Sequence, residues 1–262
     1  MRHWKTAYAS VIGTSHMRLG MPCQDASLSR VVQTIDGSEV LFAVASDGAS
    51  SAWHAEAGAK LAVLSFFEEF GLRAANDSGL ITFTRGAIES WIRRFQHEVA
   101  ERSRMANMEM REFSCTFLAA IAGPRSAVCV QVGDGAIIGL TGAITDDVWI
   151  TWPQKGKSRN STFFLTGDDV FERTVVNVVP QPLQEVAVFT DGLENLFLDP
   201  CARTVRFRVL QPIFETVRGH EPASDGGQSP EIVNLLTSNI VNKSTDDDKS
   251  LVIATRLASC VR

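Results

Sequence analysis

Five short segments of this 262-residue chain place an aspartate where a strand-like run meets a turn. They are Cys23-Gln24-Asp25-Ala26, Ser46-Asp47-Gly48, Gly133-Asp134-Gly135, Thr190-Asp191-Gly192 and the Asp246-Asp247-Asp248-Lys249 run. Their order and spacing constrain the fold more than any one of them does, because carboxylates gathered from distant strand ends are what hard divalent cations require. A lone Asp-Gly pair is ordinarily a turn former whose side chain bonds its own backbone. Taken together, with Asp47 and Asp191 both closing apolar runs, the five point to a metal-dependent enzyme.

The length allows one extended domain or two small ones, and we read a single domain over residues 1–262. The formal charge is −5, and Lys and Arg are scattered except at Arg93-Arg94 and from Lys155 to Arg159, so no nucleic-acid footprint is expected. Five cysteines without a Cys-x-x-Cys pair read as reduced thiols of a cytoplasmic protein. The N-terminus lacks an apolar export segment, and no run approaches about 18 apolar residues, so neither export nor a membrane span is expected.

Strands are predicted at Trp4 to Gly13, Ala26 to Thr34 and, after an Ile35-Asp36-Gly37-Ser38 turn, through the apolar run ending at Asp47. The period then changes to helical. One helix is predicted over 53–70, with Ser50 or Ser51 as cap and Gly71 at its stop. A second is predicted over 84–108, with Ile88, Trp91, Ile92, Phe95, Val99 and Met105 as its apolar stripe. Two strands joined at Gly123-Pro124 follow, then strands at 136–141, 147–152, 172–179 and 185–190. Helices are expected at 192–198, 202–218 and from Ser229-Pro230 to about Val241, before a closing strand that starts at Ser250. Residues 153–169 read as a flap and 219–229 as a loop.

The ordered series that runs from Gly13-Thr14 to Asp25, then through Asp47-Gly48, Ser114-Cys115-Thr116, Gly133-Asp134, Thr190-Asp191-Gly192 and Asp247-Asp248-Lys249-Ser250, resembles the metal-dependent PP2C-like (PPM) protein serine/threonine phosphatases, in particular their compact bacterial branch. The resemblance implies an α+β fold, an α-β-β-α sandwich of two antiparallel sheets flanked by helices. It implies two Mn²⁺ or Mg²⁺ ions held by Asp25, Asp47, Asp191, Asp247 and the backbone carbonyl of Gly48, and a third, weaker metal at Asp134. It also implies hydrolysis of phosphoserine and phosphothreonine on proteins by a metal-bridging water. The residues agree: no His/Cys cluster has zinc-like spacing, and a pair of such cations needs no protein nucleophile. Cys115 lies in a buried-strand pattern with no Cys-x₅-Arg loop after it, which speaks against a thiol nucleophile.

The chain departs from the family pattern at four places. Gln24 precedes Asp25 where an acidic residue is common, and Gly20 stands where a phosphate-gripping arginine is usual. Nearby Arg18 and His16 are the candidates to take over the phosphate contact, although His16 reads equally as a satisfied loop histidine. Ala49 replaces a general-acid histidine, leaving His16, His54 or a metal-bound water to protonate the leaving group. Asn195 replaces an aspartate of the third-metal site. These losses raise a rival reading, a catalytically weak or inactive module that binds a phosphoprotein or partner. A phosphoesterase of small molecules is disfavoured because no Gly-x₄-Gly-Lys-Ser/Thr loop is present. A monomer acting on a phosphorylated protein is expected.

Overall fold

The computed structural model describes residues 3–142, 148–156, 162–219 and 227–256. In chain order its strands are β1 (Trp4–Val11), β2 (Ala26–Gln33), β3 (Glu39–Ser46), β4 (Phe117–Ala122), β5 (Ala127–Val132), β6 (Ala136–Leu140), β7 (Val148–Thr151), β8 (Val175–Val179), β9 (Glu185–Phe189), β10 (Leu198–Asp199), β11 (Thr204–Val205) and β12 (Lys249–Arg256). The helices are α1 (Thr14–Leu19), α2 (Ala55–Asn76), α3 (Arg85–Ala106), α4 (Val170–Arg173), α5 (Glu194–Phe197), α6 (Phe207–Gly219), α7 (Pro230–Leu236) and α8 (Asn239–Ser244).

Two five-stranded antiparallel sheets form, in the orders β1-β12-β9-β6-β7 and β2-β3-β4-β5-β8. Their central strands are apolar almost without interruption because both faces are covered. In β3, Val40, Phe42 and Val44 pack toward α2 and α3, whereas Leu41, Ala43 and Ala45 pack toward the other sheet. In β12 the same alternation sends Leu251 and Ile253 toward α6 and α7, and Val252 and Ala254 between the sheets. The result is the expected helix, sheet, sheet, helix layering.

An aromatic cluster seals α2 and α3 onto their sheet. Phe66 meets Trp91 at 5.0 Å, Phe70 at 4.6 Å and Phe117 at 4.9 Å between ring centroids. Each of these rings is essentially inaccessible to solvent. Burying aromatic surface on this scale dominates the energetics of such a layer.

Several local expectations are corrected. Helix α2 runs past Gly71 to Asn76, because Ala74 continues the buried stripe, and His54 rather than Ser50 or Ser51 precedes its first turn without a side-chain cap. Met105 is exposed, so the apolar stripe of α3 ends at Val99. The strand predicted at 172–179 is split into α4 and β8. The helix predicted from 202 starts at Phe207, because Asp199 Oδ1 accepts the N–H groups of Cys201 and Ala202 and turns the chain into the β10–β11 hairpin. The helix predicted to Val241 breaks after Leu236, where Ser238 caps α8 by accepting the Val241 N–H. Ser229 does not cap α7; its hydroxyl accepts the Tyr8 N–H instead, at 3.1 Å. Helix α1 has no counterpart among the predicted elements.

The flap expected at 153–169 is packed on both sides of residues 157–161, which lie outside the described residues, as do 220–226 of the expected 219–229 loop. Leu165 is fully buried, its N–H bonded to the Cys115 carbonyl and its carbonyl to Gln96 Nε2. Gln154 is fastened to Gly133.

Candidate metal centre

Antiparallel pairing brings the aspartates together. Strand β2 begins opposite the end of β3, with Ala26 facing Ser46, so Asp25 and Asp47 leave the same end of their sheet. Strand β9 ends opposite the start of β12, with Phe189 facing Leu251, which places Asp191 and Asp247 at the corresponding end of the other sheet. Asp134 lies in the link that carries β5 of one sheet into β6 of the other. Gly48 fits only because it lacks a Cβ, which would come within 2.6 Å of the Gln24 carbonyl and 2.8 Å of the Ala55 Cβ.

Carboxylate oxygens of Asp47, Asp134 and Asp191 lie within 4.8 Å of one another. Asp25 and Asp47 face one another closely enough for their carboxylates to act on each other's charge. The other side of Asp25 is held by the Thr190 hydroxyl, which donates to Oδ2 at 2.7 Å and accepts the Ser250 N–H at 2.9 Å. Oδ1 of Asp25 and Oδ1 of Asp134 are buried and make no hydrogen bond among the described residues. A buried acceptor in that state ordinarily carries a desolvation cost.

The electrostatics report the same strain. Burial pushes Asp25 up to about 7. Burial, then the charges of Asp134, Asp247 and Asp25, pushes Asp191 up to about 8. Asp47 is displaced well above the carboxylate range by burial and by Asp25 and Asp191, and Asp134 and Asp247 are raised chiefly by burial. Five carboxylates cannot all ionise here near neutral pH without a counter-charge. An all-oxygen donor set with orphaned acceptors fits hard divalent cations.

Asp248, which the sequence pattern does not single out, anchors the surrounding loops. Its Oδ1 accepts the Gly13 N–H at 2.6 Å, and its Oδ2 accepts the Gln24 N–H at 2.6 Å and meets His16 Nδ1 at 2.9 Å. The available signal is a third aspartate at the mouth of an apolar strand, which must turn inward and find donors. Lys249, also absent from the sequence candidates, is fully buried with Nζ on Asn242 Oδ1 at 2.9 Å.

His16 lies on α1, buried with Nδ1 against Asp248 Oδ2. Arg18 is exposed on α1, and its Nη2 donates to Thr14 Oγ1 at 3.3 Å. Gly20 closes α1 in the left-handed region at φ 66°, a conformation that favours glycine, although the space around it is open and Arg203 adopts the same region at φ 49°. His54 is stacked on Phe113 at 5.3 Å. Asn195 is exposed, while its neighbour Glu194 is buried and bonded to Lys155. Gln24 donates through Nε2 to the Ala52 carbonyl, and its Oε1 is buried without a partner among the described residues.

The sequence profile of the protein phosphatase 2C family matches residues 12–235. Serine/threonine-protein phosphatase 3 of Escherichia coli (strain K12) is 30% identical over 258 residues, covering 96% of this chain and 98% of that protein. Among solved structures, serine/threonine phosphatase Stp1 from Staphylococcus aureus superposes with a TM-score of 0.61 at 12% identity, covering 98% of this chain and 96% of its own. PppA of Pseudomonas aeruginosa gives 0.63 at 13% identity, covering 97% and 98%.

Proposed function

The chain belongs to the protein phosphatase 2C family and is a metal-dependent protein serine/threonine phosphatase; from that premise we propose that Asp25, Asp47, Asp191 and Asp247, with the Gly48 carbonyl, hold manganese or magnesium ions. The observation that supports this reading is the convergence of the raised-pKa carboxylates with the unbonded oxygens of Asp25 and Asp134. Asp134 groups with Asp47 and Asp191, so we include it as a ligand, of a third ion or of the same cluster. Divalent cations bound there supply a water of lowered pKa and neutralise phosphoryl oxygens.

The protein's own groups prepare that chemistry. Thr190 orients Asp25 through its hydroxyl, and Asp248 holds the Gly13, His16 and Gln24 segments in fixed relation to Asp247. The buried Gln24 Oε1 is free to accept a hydrogen bond from a water beside Asp25. A module that only bound partners would gain nothing from this concentration of unpaired carboxylate charge.

We further propose that the chain acts as one catalytic domain and a monomer, without nucleic acid or membrane partners. Residues of both sheets share one inter-sheet core, and no helix among the described residues is long and apolar enough to cross a membrane. A cytoplasmic location agrees with the free thiols of Cys23, Cys115, Cys129 and Cys201. The decisive experiment is hydrolysis of a phosphothreonine peptide after chelation and after return of Mn²⁺ or Mg²⁺, paired with calorimetric metal titration. Turnover unaffected by chelation, or the absence of metal binding, refutes the assignment.

A further inference from the structure

Among the described residues His16, Lys249 and Lys155 act on the carboxylate cluster, and the first two are buried and already engaged. Lys249 is held by Asn242, and His16 by Asp248. Lys155 differs, for its side chain is 50% exposed and its charge pulls on Asp134.

Its backbone is clamped to the turn that carries Asp134. The Gln154 N–H donates to the Gly133 carbonyl at 3.1 Å, and the Gly133 N–H donates to Gln154 Oε1 at 3.0 Å. Buried Gln131 donates through Nε2 to the carbonyls of Gly133, Gly135 and Trp152, at 3.1, 3.0 and 3.0 Å. The Lys155 ammonium meets Glu194 Oε2 at 2.7 Å, three residues beyond Asp191. A flexible cation is thus fixed at its root between the loops of Asp134 and Asp191, with half of its side chain open to solvent.

We propose that Lys155 binds the phosphoryl group of the substrate, its ammonium exchanging the Glu194 carboxylate for phosphate oxygens when a phosphorylated side chain reaches the cluster. A phosphate monoester carries about −1.5 to −2 charges at pH 7 and three strong acceptors, which outcompete one carboxylate for a half-exposed ammonium. The proposal deepens the phosphatase reading and rests on it. It provides a phosphate-binding cation where Gly20 carries no side chain and where Arg18 is drawn to Thr14.

The test compares the parent with Lys155→Ala, Lys155→Arg and Arg18→Ala in Mn²⁺, measuring KM for a phosphothreonine peptide and inhibition by inorganic phosphate. Lys155→Ala is expected to raise both KM and the inhibition constant about tenfold, with kcat within about threefold, and Lys155→Arg to recover most of the loss. The Mn²⁺ concentration for half-activation stays within about threefold of the parent, and the melting temperature falls only by the small amount that unpairing Glu194 costs. Unchanged constants in Lys155→Ala overturn the proposal. So does a shift confined to the Mn²⁺ half-activation, which reduces Lys155 to a counter-charge for Asp134, or a weakening produced by Arg18→Ala in its place. Calorimetric titration of inorganic phosphate into Mn²⁺-loaded protein makes the same comparison without turnover. A parent inert toward the peptide counts against the phosphatase reading, whereas equal phosphate binding by parent and Lys155→Ala counts against Lys155 alone.

Discussion

Replacing Asp191 by asparagine should stabilise the metal-free protein. The substitution preserves shape, and the Asp191 carboxylate accepts no side-chain hydrogen bond among the described residues, so what it removes is charge. Asp191 titrates near 8 in the fold, raised by burial and by Asp134, Asp247 and Asp25, against an ordinary value of 3.8. Raised carboxylate pKa values have a definite sign. The stability associated with the protonated group is complete below its unfolded pKa and is lost as pH rises from about 4 through about 8. A displacement of about four units carried by one isolated group would be worth roughly 6 kcal/mol, but the carboxylates share it and Asp191 is partly open to solvent, so about 1 to 3 kcal/mol is expected. For a chain of this length that corresponds to roughly 2 to 6 °C in Tm.

The assay is thermal unfolding of parent and Asp191→Asn in EDTA and in Mn²⁺, at pH 5 and pH 8. In EDTA at pH 8 the variant should melt higher, and at pH 5 the gap should narrow because the parent's carboxylates are then protonated. Mn²⁺ should raise the parent's Tm, more at pH 8 than at pH 5, because binding displaces protons. The variant should gain little. Equal or lower melting of Asp191→Asn in EDTA at pH 8, or an identical metal increment in both proteins, would refute the reasoning.

Asp47→Asn should abolish phosphothreonine hydrolysis at saturating Mn²⁺ while retaining the parent's circular dichroism, and near-normal turnover would remove Asp47 from the metal set. Asp248→Asn should lower stability by about 1 to 3 kcal/mol in a denaturant titration, since one carboxylate now accepts from Gly13 and Gln24 and an amide cannot satisfy both and His16 alike. Phe66→Ala, which empties the centre of the aromatic cluster, should cost about 3 to 5 kcal/mol by the same titration and leave the metal affinity of the folded protein unchanged.

The amino-acid sequence by itself determined the layers. The β3 and β4 runs are apolar at successive positions, as only strands covered on both faces can be, and the α2 and α3 stripes recur at helical spacing. The strand-end positions of Asp25, Asp47, Asp134, Asp191 and Asp247 were also legible, because a turn signal beside a strand-like run, before it at Asp25 and Asp247 and after it at the others, is a local property. What only the tertiary structure decided is who meets whom. Asp134 stands with Asp47 and Asp191 because β5 and β6 belong to different sheets, and that crossing is set by long-range pairing. Among three consecutive aspartates, Asp248 turns inward because Gly13 and Gln24 bring it buried N–H groups from more than two hundred residues away. The packing of Phe163 to Leu165 and the clamp that sets Lys155 beside Glu194 are of the same kind. Hydrogen bonds between distant loops depend on the closed sandwich, and residue spacing along the chain carries no record of them.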